Sequence, residues 1–160
     1  MTSKLSNLNP NEVQLINSIN DQKLLAVNYY YWINSAKPAE EYFFIDVVEM
    51  VFQDHPSLFF KINDEDSGIN VTTEFEFEHY NKHLQLEFQQ QIKLKKVAVT
   101  ESNIWQSVIQ NSLQKIDLEE VKGQFLSSYF IFDFKSQKIE LSFHPVEGLL
   151  VAEYEDTFDN

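Results

Sequence analysis

The chain predicts an α+β fold: a mainly antiparallel, strongly curved β-sheet, barrel-like or two-layered, with one long and one short helix. Three observations carry this. Runs crowded with aromatic and β-branched residues recur along most of the 160 residues, and such residues favour strands. The connections between the first of these runs are too short for parallel crossovers, which implies antiparallel neighbours. Only two segments space their apolar residues as a helix does.

The first of those segments opens at Asn9, a good N-cap, with Pro10 at the first helical position and Glu12 at the third. Val13, Leu15, Ile16 and Ile19 follow, so a short helix is expected over 10–20, with Leu8 and Val13 placed to staple its start. KLLAVNYYYWI then crowds aromatic residues on both alternating faces, the mark of a central strand buried on each side. EYFFIDVVEMVF, beyond a loop from Asn34 to Ala39, is equally apolar on both faces. Asp54, His55 and Pro56 supply a turn into SLFFKI, and NDEDSG supplies the next loop.

EFEFEHYNKHLQLEF, residues 74–88, raises the main chemical question, because His79 and His83 stand four apart beside glutamates. Its opening has period two, and pairing Phe77 with Leu86 and Phe75 with Phe88 makes a hairpin turning at Asn81 and Lys82. In that register the two imidazoles point to opposite faces, so no metal site is expected. Asn63, Glu65, Ser67, Gly68 and Glu74 imitate the spacing of a calcium-binding loop, but the flanks read as strands where that motif needs helices.

QIKLKKVAV continues the sheet. Thr100 then caps the expected long helix, with Ile104, Trp105, Val108, Ile109, Leu113 and Ile116 at helical spacing and Gly123 closing the helical region. QFLSSYFIFDF, QKIELSF and GLLVAEY are the last three strands, the first two joined by a turn near Lys135–Gln137. Trp32 and Trp105 are both expected in the core. The doubly apolar strands need more cover than two helices give, so sheet-on-sheet contact or a homodimer burying YYYWI is expected to supply it. One domain spans 1–160, with frayed ends at about 1–8 and 155–160.

Composition narrows the function. There are 12 basic residues against 25 acidic ones, a formal net charge of −13, and every basic residue is lysine. Nucleic acid and anionic membranes are therefore repelled, and the arginine fork that grips phosphate is missing. Cysteine is absent, which excludes disulfides, thiol catalysis and cysteine-held metals. No apolar run reaches the ~20 residues of a membrane span, and the start lacks the features of a signal peptide, so a cytoplasmic location is expected.

Glycines Gly68, Gly123 and Gly148 are too dispersed for a phosphate-cradling loop, and no GxSxG nucleophile motif occurs. No catalytic, cofactor-binding or metal-ligating residue is assigned. The expected role is a small acidic module that binds a basic protein, neutralising or escorting it; in composition alone the chain is similar to bacterial immunity proteins and secretion chaperones. Glu74, Glu76, Glu78 and Glu87, on the outward face of the hairpin, are the candidate contact residues, with Tyr80 as their anchor. The alternatives are a carrier of an apolar small molecule inside a barrel and an enzyme whose site is assembled from dispersed residues.

Overall fold

The computed structural model describes residues 6–34 and 44–155. Helix α1 (Pro10–Ser18) begins as its sequence dictates, with the Asn9 side chain accepting from the Glu12 amide at 2.8 Å and the Glu12 carboxylate accepting from the Asn9 amide at 3.0 Å. The second oxygen of Glu12 accepts from the Val71 amide at 2.7 Å. One buried carboxylate thus caps the helix and fastens it to the sheet.

Five strands, β1 (Leu24–Asn34), β2 (Phe44–Phe52), β3 (His55–Ile62), β4 (Ile69–Thr72) and β5 (Ile92–Ala98), pair antiparallel in the order β5-β1-β2-β3-β4. The turn between β2 and β3 falls at Gln53 and Asp54, leaving His55 and Pro56 within β3. The expected loop from Asn34 to Ala39 lies outside the described residues apart from Asn34.

A second antiparallel set runs β6 (Lys115–Val121), β7 (Gln124–Asp133), β8 (Lys138–His144) and β9 (Gly148–Tyr154), each strand beside the next. A single parallel pairing, Ile45 with Gly148, joins the two sets into one curled, half-barrel sheet. The sheet is therefore mixed, where a mainly antiparallel one was expected. Gly148 has a positive φ of 84°, and a Cβ there would stand 2.9 Å from the Ile45 carbonyl oxygen, so both conformation and contact require glycine.

The curl turns the inner faces toward each other. Phe60 on β3 meets Phe130 and Phe132 on β7 at ring-centroid distances of 5.8 and 5.4 Å. Ile16, Ile19, Leu24, Met50, Trp105, Val108, Leu113 and Ile139 complete this core and are almost wholly removed from solvent. Side chains fill the interior, and at ~25 cal/mol per Å² of apolar surface they supply the main stabilisation.

Two elements differ from expectation. The long helix after Thr100 is one turn only, α3 (Asn103–Gln106). Gln110 takes a positive φ of 70°, and its amide donates to the Leu24 carbonyl, so the chain lies along the start of β1 instead of continuing the helix. Ile116 then belongs to β6, where Ile116 and Leu118 alternate with polar residues, and Gly123 serves the β6–β7 turn. Trp105, Val108, Leu113 and Ile116 are buried and Ile104 and Ile109 partly so, but the helical spacing that links them is broken at Gln110.

The second difference is larger. The hairpin over 74–88 is not formed: Glu74–Glu76 is a lead-in without regular structure, and Phe77–Glu87 is a helix, α2. Phe77, Tyr80, Leu84 and Phe88 follow one another at spacings of three, four and four, which places them on one helical face. With Phe75 they pack on Tyr30, Trp32, Val47, Phe59, Leu94 and Ile92, a second core on the outer face of β5, β1, β2 and β3. The cover that the doubly apolar strands need on this side comes from α2.

Candidate functional site

The outer core does not close completely. Between α2 and the β3–β4 loop lies a cleft of about 410 Å³ lined by Trp32, Asp46, Ile62, Asn63, Asp64, Asp66, Tyr80, His83, Leu84, Glu87 and Phe88. Its floor comes from an irregularity in β2. Tyr30 pairs with Val47 and Tyr31 with Ile45, so Asp46 is an extra residue in the ladder. A bulge of this kind re-aims a side chain, and here it sends a carboxylate beneath α2.

Asp46 is only 2% exposed. Its Oδ2 accepts from the Tyr80 hydroxyl at 2.6 Å and from Trp32 Nε1 at 2.9 Å. Burial pushes its pKa above the ordinary aspartate value; the Tyr80 and Trp32 donors and the nearby Lys61 ammonium oppose that rise, while Asp66 adds to it. The Tyr80 hydroxyl is likewise pushed up, first by burial and then by the Asp46 charge. At neutral pH it is a fixed donor.

The rim is acidic. Asp64 and Asp66 are exposed on the β3–β4 loop, and Glu87 is exposed at the end of α2. The loop is held by Asn63, whose Oδ1 accepts from the Ser67 amide at 2.9 Å, while its own amide donates to the Gly68 carbonyl at 3.0 Å. Asp66 takes a positive φ of 51°, a conformation that aspartate tolerates better than most residues. Among the described residues, ion pairs form only at Lys96–Glu49 (3.7 Å) and Lys115–Asp117 (3.3 Å). Neither involves a carboxylate of the cleft.

The five candidate contact residues are thus redistributed. Tyr80 and Glu87 line the cleft, and Tyr80 is partly buried instead of standing out as an anchor. Glu76 is the N-cap of α2, Glu78 lies in its first turn and Glu74 precedes it, all three exposed. Glu78 and Tyr80 are two positions apart, about 200° around a helix, so the glutamates do not form one flat face with Tyr80. Trp32, expected in the core, is half-buried at the cleft, whereas Trp105 is 1% exposed. Lys93 and Lys95 are exposed on the edge strand.

On α2 the histidines no longer diverge by strand parity: His79 and His83 are one helical turn apart and both exposed. Among the described residues no group of three or more acidic or histidine side chains is placed to hold a metal. The acidic loop at 63–68 joins two strands, as expected. The aromatics of YYYWI are engaged in packing: Tyr29 accepts from Trp105 Nε1 at 2.6 Å, Tyr30 donates to Glu49 at 2.9 Å, and Trp32 stacks near Phe44 and Phe88. No described helix is long and apolar enough to cross a membrane.

Asp46, Trp32, Asp64, Asp66 and Phe88 escaped the sequence reading as site residues. A signal existed for Asp46, the one charged residue within the apolar run FFIDVV. The cleft's other residues become neighbours only through the fold. Comparison with known proteins adds nothing further: no family model, curated protein or solved structure matches the chain.

Proposed function

We propose that the protein is a binding module for a basic partner protein, which it neutralises or escorts, and that the cleft between α2 and the β3–β4 loop is part of the contact. The observation that supports this is the acidic rim, Asp64, Asp66 and Glu87, set around a partly apolar hollow on a chain of net charge −13. Complementary charge accelerates encounter and selects partners, while apolar contact nearby slows release.

The test is kinetic. Partners captured from the source cell are identified and their association rates measured against ionic strength. Screening reaches ~8 Å at physiological salt, so the on-rate should fall steeply as salt rises while the off-rate changes little. Two charge-removing variants then locate the contact: Asp64→Asn with Asp66→Asn and Glu87→Gln at the cleft, and Glu74→Gln with Glu76→Gln and Glu78→Gln at the start of α2. If neither set alters the on-rate of a basic partner, the acidic surface only solvates the protein and the reading fails.

A further inference from the structure

We propose that the cleft is a receptor for one cationic side chain, lysine or arginine, presented by that basic partner; the inference rests on the reading above and assigns the chemistry of its central contact. The shape and lining of the cleft carry it. Trp32 and Phe88, with ring centroids 5.2 Å apart, stand with Leu84 and Tyr80 around the hollow. They offer an apolar sleeve to the methylene stem of a long basic side chain. Asp46 lies at the bottom of this sleeve, held by Trp32 and Tyr80, with Asp64, Asp66 and Glu87 around the mouth. A stem of carbon ending in a positive charge matches that order of apolar wall and buried carboxylate.

The fold already contains a small version of the same contact. The Lys61 ammonium sits 5.8 Å from the centroid of the Tyr80 ring, within the range of cation–π attraction. Lys61 lines the neighbouring hollow beside Glu12 and Asn63 and does not line the cleft itself. The ring that holds Asp46 is therefore one on which an ammonium rests in the protein's own structure. Among the described residues no lysine comes within ion-pairing distance of Asp46. Lys61 acts on Asp46 only from beyond that distance, and an entering cation would add a charge in direct contact with the buried carboxylate. An anionic side chain would meet four carboxylates instead.

The probes are three capped tripeptides, Gly-Lys-Gly, Gly-Arg-Gly and Gly-acetyl-Lys-Gly, titrated into the full chain while the Trp32 indole N–H is followed by NMR. Lysine or arginine peptide, or both, should shift that signal saturably, and which of the two binds more tightly identifies the natural side chain. The acetylated peptide should bind at least tenfold more weakly. Asp46→Asn should weaken the charged peptides about tenfold, and Asp66→Asn with Glu87→Gln, on exposed positions that do not threaten folding, should weaken them several-fold. Equal response to the acetylated peptide, no response to either charged peptide, or unchanged binding in the folded rim variant overturns the inference. If a captured basic protein still binds with salt-dependent kinetics in that event, the broader reading survives; if no basic protein binds, both fall.

Discussion

Tyr80 donates its hydroxyl proton to Asp46 across 2.6 Å, tying the middle of α2 to the bulge in β2. A hydrogen bond to a charged acceptor contributes ~1.5–3 kcal/mol. Tyr80→Phe keeps the ring against Phe75 and Lys61 and removes only the donor, so stability should fall by about that much. Urea unfolding should show a lower midpoint with an unchanged slope.

The same carboxylate makes stability depend on pH. Burial raises the folded-state pKa of Asp46 above the ordinary value of 3.8, so between the two the native state binds more protons than the unfolded chain. The contribution of Asp46 is then fully present below pH 3.8 and is lost as pH rises through the folded value. Asp46→Asn should lack this fall. The difference in unfolding free energy between wild type and variant, followed upward from pH 3.8, should move steadily against the wild type; a difference that is flat, or of opposite slope, contradicts the burial of a charge.

The two tryptophans should separate in fluorescence. Trp105 is 1% exposed and Trp32 lines the cleft, so acrylamide should quench Trp32 and leave Trp105 emission largely intact. Trp32→Phe should remove the quenchable component. Trp105→Ala, which also leaves the buried Tyr29 hydroxyl without its donor, should cost ~3–5 kcal/mol.

Gly68 packs directly against the Ser127 hydroxyl, and a methyl group at position 68 would collide with it. The Ser127 Oγ is buried without a hydrogen-bond partner among the described residues, so Ser127→Ala should be neutral or slightly stabilising. Gly68→Ala should cost ~1–3 kcal/mol through overpacking. In the double variant part of that loss should return, because one of the three close contacts is removed. Strict additivity in a double-mutant cycle would show that the two positions do not touch.

Lys82 distinguishes helix from hairpin. It is exposed in the middle of α2, where proline removes a backbone donor and clashes with the preceding turn, at ~3 kcal/mol or more. Lys82→Ala should instead be tolerated, since alanine favours a helix and disfavours a strand turn. Circular dichroism of both variants reads the outcome.

What was legible in the sequence was local. The capping box of Asn9 and Glu12 and the three C-terminal strands rest on contacts between near neighbours, and each formed; LLAVNYYYWI is central as expected, its two-sided apolar pattern marking it although its partner β5 lies far along the chain. The errors arose where two periods overlapped. EFEFEH alternates, but its first three residues form no strand; the helical set Phe77, Tyr80, Leu84 and Phe88 begins inside that alternation. The absence of any Val, Ile or Thr from 74–91 was the available signal, since β-branched residues populate the other strands. After Thr100, tertiary pairing of Gln110 and Ser112 with the start of β1 overrode a helical pattern. The cleft was illegible because Asp46 reaches it through a bulge, and a one-residue irregularity in a strand changes which face a side chain joins.

Among the described residues the two strand sets meet along the sheet only at the Ile45–Gly148 bridge, while Phe60, Phe130 and Phe132 join them through the inner core. Strands β6–β9 follow one another in sequence and pair only within themselves along their ladders, whereas β1 must find β5 across α2. Local unfolding proceeds in such contiguous units, and strand ladder to strand ladder only one residue pair couples the two sets. Native-state hydrogen exchange should therefore resolve two sets of amides with separate opening free energies. The set containing α2 and the cleft should open first, because α2 is held by the outer core, the Tyr80–Asp46 contact and the Asn81 side chain that accepts from the Leu94 amide, while β7 and β8 are paired on both sides. The half that carries α2 and the cleft can then rearrange while the C-terminal meander keeps its pairing, so that movement at the cleft does not require the whole molecule to yield.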